Sequence, residues 1–265
     1  IHICKSMLAY QKWGKNSLPE DEGMKSDHFV GKWYVKFCKA AKENPSLEKE
    51  AQVMLQKWEA GDKEVRKLWK LMNAWAFGGF EETYERMGIF FDKYYYESEY
   101  YDNAKNIIKY GLKKKVFEKD KDGAILINFE KDKDKKVQQW GKKFVLRPDG
   151  TSIYITQDLY LAQLKYKDYA FDQSIHVVAH EQDYHFQVLF KILEKLGFKW
   201  ATKNFHLSYG MVHLPHGRMK SREGTAVDAD DLLSNMEDLA KVEIRKRHAD
   251  VSKVVLGKRA IQIGH

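Results

Sequence analysis

Arg218, Lys220 and Arg222 crowd three cations around Ser221, with Gly224 just behind them. Cations packed on a polar, glycine-bearing loop suit a polyphosphate leaving group, because each offers N–H donors as well as charge. Tyr154 and Asp158 stand four residues apart in a second segment. A carboxylate at Asp158 can accept two parallel N–H bonds from a guanidinium, with the Tyr154 hydroxyl or ring beside it. The plainer reading makes Asp158 a helix N-cap, and the residues alone leave both open. Gln182 offers a donor and an acceptor to an ammonium, a carboxylate or a ribose, or else is an exposed first-turn residue. His185 reads as a nucleotide contact or as a histidine satisfied within the fold. His180, Asp183 and His185 lack the i, i+4 spacing of a helical metal pair, so no protein-bound metal is expected. The chain has no Gly-x-x-x-x-Gly-Lys-Ser/Thr phosphate loop and no Gly-x-Gly-x-x-Gly.

These groups need elements to aim them. Helical spacing runs through residues 1 to 90, as in Leu47, Ala51, Met54, Leu55 and Trp58, then Val65, Leu68, Trp69, Met72 and Ala76. Asp62 is placed to cap the second of these helices, and Phe80 to Gly88 reads as a further helix ending at glycine. Ala124 to Phe129 and Phe144 to Leu146 read as strands, with Glu130 to Lys136 a solvated hairpin tip between them. From residue 151 strands and helices alternate. Ser152–Ile155 is a strand, Gln157–Tyr166 a helix, Ile175–Ala179 a buried strand, Gln182–Leu196 a helix and Phe205–Met211 a strand. That rhythm predicts a parallel sheet with crossover helices. Ligands of such sheets lie at the carboxyl ends of the strands, where the Tyr154–Asp158, His180–His185 and Gly210–Val212 segments fall. Asp228 is placed to cap one more helix.

The chain has 265 residues, 43% apolar and 14% aromatic, enough to bury a sizeable core. No apolar run reaches membrane-spanning length. Cys4 and Cys38 have no metal-ligand spacing and need no disulfide, which fits a cytoplasmic location. A net charge of +8 favours an anionic partner such as nucleic acid, or reflects a lysine-rich solvated surface.

Gly210-Met211-Val212, followed by Met219 and Ser221-Arg222-Glu223-Gly224-Thr225, resembles the second signature loop of class I aminoacyl-tRNA synthetases in its arginyl form. Gly150-Thr151, Tyr154-Ile155-Thr156 and Asp158 look like that family's amino-acid-binding strand. Ala179 to His185 resembles its Gln-x-x-His segment. The resemblance implies an α/β fold, the second half of a Rossmann-like parallel-sheet catalytic domain with a largely helical N-terminal insertion. It divides the chain into a mostly helical part over 1–90 and an inserted α+β segment over 91–150. The nucleotide-binding half with its signature loop would occupy 151–233, and a helical connection 234–265.

Arginine would then be held by Tyr154, Asp158 and Gln182. ATP would lie against His185, Gly210, Met211 and Val212. Arg218, Lys220, Ser221 and Arg222 would bind the departing pyrophosphate. ATP would come with Mg2+, the partners would be L-arginine and tRNA(Arg), and the protein would be a monomer. Arg218 stands where the family carries lysine. The family's first signature, with its paired histidines, and its helical anticodon-binding domain are not found in the sequence. We therefore read the chain as a fragment that does not aminoacylate alone. The competing readings are a non-catalytic basic RNA-binding module related to synthetases and a sugar- or nucleotide-transferring enzyme. The binding-module reading does not account for the ordered strand-end motifs, and the transferase reading would use a similar crevice.

Overall fold

The computed structural model describes residues 1–101, 103–211 and 227–264. In chain order the elements are α1 (His2–Trp13), α2 (Ser26–Glu43), α3 (Ser46–Glu59), α4 (Lys63–Arg86), α5 (Glu97–Tyr100) and α6 (Lys105–Lys113). Next come β1 (Glu118–Lys119), β2 (Ile125–Asn128), α7 (Lys135–Gln138), β3 (Lys142–Leu146) and α8 (Tyr154–Tyr169). The chain continues through β4 (Ser174–Ala179), α9 (Asp183–Lys195), β5 (Asn204–Tyr209), α10 (Ala229–Arg247) and α11 (Lys253–Gly264). They fall into two compact units, Ile1–Phe91 with His213–His265, and Asp92–Val212.

The first unit is helical. Met7, Phe29, Phe37 and Met72 are fully buried where α1, α2 and α4 pack, and Tyr10, Phe29 and Trp75 meet edge to face. Gly61, at φ +82°, ends α3, and the Asp62 carboxylate accepts the Val65 N–H at 3.0 Å to start α4. The segment read as a separate helix from Phe80 is the last part of α4, which runs unbroken through Gly78 and Gly79. Gly79 is needed there for space, since a Cβ would lie 2.2 Å from Asp27 Oδ1 and 2.6 Å from its Cβ. Asp228 caps α10 through the Asp230 N–H at 3.1 Å. The Lys25 ammonium bonds Asp230 at 2.7 Å and Thr83 Oγ1 at 2.5 Å, and Arg86 bonds Glu237 at 2.8 Å. Together these tie α10 to α2 and α4. Asp27, His28 and Asp230 bring three metal-ligating atoms within 4.8 Å of one another, but Lys25 already supplies a cation to both carboxylates.

The second unit holds two sheets. β1, β2 and β3 form an antiparallel meander, and β4 and β5 pair in parallel with α9 as the crossover. Ile107, Ile127, Phe129, Val145, Leu159 and Ile192 share one core. The residues between β2 and β3 are not simply solvated. Asp132 is buried, bonding the Asp134 N–H at 2.9 Å and Lys195 Nζ at 2.5 Å, and α7 follows it.

Residues 152–155 are not a strand. Ser152 makes a single bridge to Leu146, and α8 starts at Tyr154. The β-branched run misleads, because Ile155 and Leu159 repeat at helical spacing and both are buried. Thr156 fixes the start: its hydroxyl donates to the Val145 carbonyl of β3 and accepts the Ile153 N–H at 3.3 Å. β4 is not buried on both faces either. Ile175 pairs with Phe205 and Val177 with Leu207, and all four stand about half exposed or more. His176, Val178 and His206 occupy the other face, where Phe186 and Phe190 of α9 pack on the histidine rings. No helix among the described residues is long and apolar enough to cross a membrane.

Candidate active site

Asp158 lies in the second turn of α8, not at its cap, so the cap reading falls with the strand that implied it. The same shift puts Tyr154 one turn before it on one helical face. Tyr154 is 84% exposed, its ring free to lie against a ligand. Asp158 Oδ2 and His185 Nε2 are 2.7 Å apart, and this bond joins α8 to α9. Both side chains are part-exposed. Two of the motifs read separately in the sequence therefore meet.

The Asp158 charge reaches further groups. Burial pushes the Tyr100 hydroxyl up to about 12, and the negative charges of Glu97 and Asp158 act the same way. Burial pulls Lys165 below the usual lysine range, while Asp158 opposes that shift. His176 is also lowered, chiefly by burial, with its hydrogen bond to Asn204 and the Asp158 charge opposing and Lys165 adding. The Asp158 charge thus acts on a tyrosine, a lysine and a histidine that are themselves partly buried.

Gln182 is exposed at the start of α9, at the end of a short 3-10 turn that continues β4. Next to it Asp183 accepts a hydrogen bond from Ser208 Oγ at 2.7 Å and lies 3.3 Å from His206 Nδ1. His206 Nε2 donates to the Val178 carbonyl at 2.8 Å, which fixes that ring. The carboxyl ends of β4 and β5 are therefore held together by side chains as well as by the ladder. Gly210 and Met211 follow β5 directly, Gly210 exposed and Met211 partly buried. Val212, Arg218, Lys220, Ser221 and Arg222 lie outside the described residues.

Sequence reasoning missed Tyr100, Lys165, His176 and Gln157. Lys165 stands seven residues after Asp158, a spacing that reads as a shared face within the helix expected over Gln157–Tyr166. Tyr100 comes from a distant segment and carries no local signal. Gln157 is only 6% exposed, and neither amide atom finds a protein partner among the described residues. Such a group calls for water or ligand atoms beside the start of α8.

Two solved structures share this architecture. A Thermus thermophilus arginyl-tRNA synthetase superposes with a TM-score of 0.74 at 17% identity over 98% of this chain and 47% of that one. One from Plasmodium falciparum gives 0.70 at 18% identity over 98% and 41%. The fold is thus that of a class I synthetase catalytic domain. The family described as tRNA synthetases class I (R), catalytic domain, matches residues 12–263, and the chain belongs to it. An arginine–tRNA ligase from Treponema denticola is 51% identical over all of this chain and 44% of its own length. One from Parabacteroides distasonis is 48% identical over 91% of this chain and 42% of its own. The chain spans less than half the length of the curated relatives it matches.

Proposed function

We propose that this chain is the arginine- and ATP-binding half of an arginine–tRNA ligase. An arginine carboxylate oxygen attacks the α-phosphorus of ATP, and pyrophosphate leaves with the electron pair of the broken P–O bond. The terminal hydroxyl of tRNA(Arg) then attacks the activated carbonyl and releases AMP. Asp158 receives the guanidinium with Tyr154 beside it, and Gln182 meets the amino-acid end. His185, Gly210, Met211 and Val212 line the ATP site. Arg218, Lys220, Ser221 and Arg222 hold the departing phosphates, and Mg2+ arrives with ATP. Positioning and charge stabilisation carry such chemistry without a protein nucleophile. The cytoplasm is the location this reading takes, and a monomer its working state.

The observation that carries the reading is the carboxylate of Asp158. It lies one helical turn from an exposed tyrosine and is bonded at 2.7 Å to a histidine at the head of the crossover helix. A guanidinium is the side chain that matches a carboxylate with two parallel donors. Asp158→Asn keeps the volume and removes the charge. In the full-length protein it is expected to lower kcat/KM for arginine in ATP–pyrophosphate exchange about a hundredfold, the loss of a charged hydrogen-bond pair worth about 3 kcal/mol. KM for ATP should change little. An unchanged kcat/KM for arginine would move the guanidinium site elsewhere.

A further inference from the structure

The basic surplus of this chain is concentrated in one place. Residues 105–143 contain thirteen lysines against six carboxylates, a surplus of seven in a chain whose whole net charge is +8. This stretch is α6, the three-stranded meander and α7, all within the second unit. Eleven of the thirteen lysines are exposed.

Half of the carboxylates nearby are committed to other groups. Asp120 accepts the Asp122 and Ala124 N–H groups at 3.0 and 2.8 Å. Asp134 caps α7 through the Lys136 N–H at 2.8 Å. Asp132 is committed to the Asp134 N–H and to Lys195. Half of the acids therefore serve turns and caps, and none of the eleven exposed lysines forms an ion pair among the described residues.

Two of these lysines border a concavity. A cavity of about 380 Å³ is lined by Lys115, Val116, Glu118, Ile127, Asn128, Lys131 and Lys195. Lys195 is occupied by Asp132, and Glu118 is the one acid on the rim, which leaves Lys115 and Lys131 as the uncommitted cations. Lys115 stands out further. Its φ is +58°, in the left-handed region just past the end of α6, where glycine is the residue of least strain.

We propose that this lysine surface, centred on Lys115 and Lys131, binds the sugar–phosphate backbone of RNA. The proposal rests on the tRNA-ligase reading for the identity of that RNA. Ammonium groups around a concavity, with no aromatic platform in its lining, suit phosphates better than bases. Binding of this kind positions the RNA without reading its sequence, and it releases counterions.

The test uses the full-length protein, labelled tRNA(Arg) and fluorescence anisotropy over a series of salt concentrations. Lys115→Gln with Lys131→Gln should weaken binding about tenfold near physiological salt. It should also flatten the log K against log salt slope by nearly two, about 0.9 for each phosphate no longer neutralised. Lys67→Gln with Lys70→Gln removes the same charge from exposed positions on α4 and should change affinity less than twofold. Lys115→Gly should keep or raise the melting temperature while still weakening RNA binding, which separates a direct role in binding from a role in folding. An unaltered slope in the Lys115/Lys131 double variant would overturn the proposal, as would equal losses of affinity in the α4 control. Displacement of tRNA from this surface by free pyrophosphate at millimolar concentration, with the slope unchanged by the variants, would also overturn it and assign the cavity to a small anion. Failure of the ligase reading itself shows differently: no arginine-dependent exchange in the wild type, with the salt response of RNA binding intact.

Discussion

Asp158 bonds His185 through one carboxylate oxygen, Oδ2, and its charge is felt at Tyr100, Lys165 and His176. His176 gives this environment a measurable consequence. Burial holds its folded pKa below the ordinary imidazole value, so the unfolded chain takes up a proton first as pH falls. The stability this histidine contributes is fully present above about pH 6.5 and is lost as the pH drops toward the folded value. Denaturant midpoints should fall between pH 7.5 and pH 5.5, and His176→Gln should flatten that dependence. Equal slopes in the two proteins would mean that His176 is not held neutral by the fold. Residue types were the most legible level of this sequence. Tyr154, Asp158 and His185 are picked out by their own chemistry. The groups that feel the Asp158 charge are not, because Tyr100 and His176 come from other segments and are brought within its reach only by tertiary packing.

The elements were legible where periodicity and capping agreed. Asp62 and Asp228 cap the helices expected of them, and the αL glycines Gly61 and Gly197 stand where helices end. The sequence misled where local preference and tertiary contact disagreed. Ser152-Ile153-Tyr154-Ile155 has strand propensity, yet the Thr156 hydroxyl bound to β3 and the burial of Ile155 and Leu159 make it a helix start. The helix start places Tyr154 one turn before Asp158 on a shared face. Thr156→Val keeps the shape and deletes both hydrogen bonds, one of them to the carbonyl of the buried Val145. It should lower stability by about 1–2 kcal/mol and raise KM for arginine more than KM for ATP. An equal rise in both would mean that Thr156 supports the fold in general and not the Tyr154–Asp158 face. β4 was misjudged for a different reason. An apolar run interrupted only by His176 reads as buried on both faces, but nothing in a run of that kind says whether one face is covered.

At the scale of the whole molecule, the chain combines a helical unit with a second unit, an antiparallel meander and a parallel βαβ, that carries Tyr154, Asp158, Gln182 and His185. The family follows from the match over residues 12–263 and from relatives near 50% identity. Net charge alone did not choose between nucleic-acid binding and a solvated lysine surface. Its concentration in residues 105–143, with half of the local carboxylates tied to backbone and to Lys195, gives it a direction. On the reading proposed above, Tyr154, Asp158 and Gln182 select arginine for activation by ATP. The most direct measurement is ATP–pyrophosphate exchange by the full-length protein against all twenty amino acids, with and without tRNA. Exchange is expected with arginine alone and only when tRNA is present. Exchange with a different amino acid, or with none under either condition, would refute that assignment.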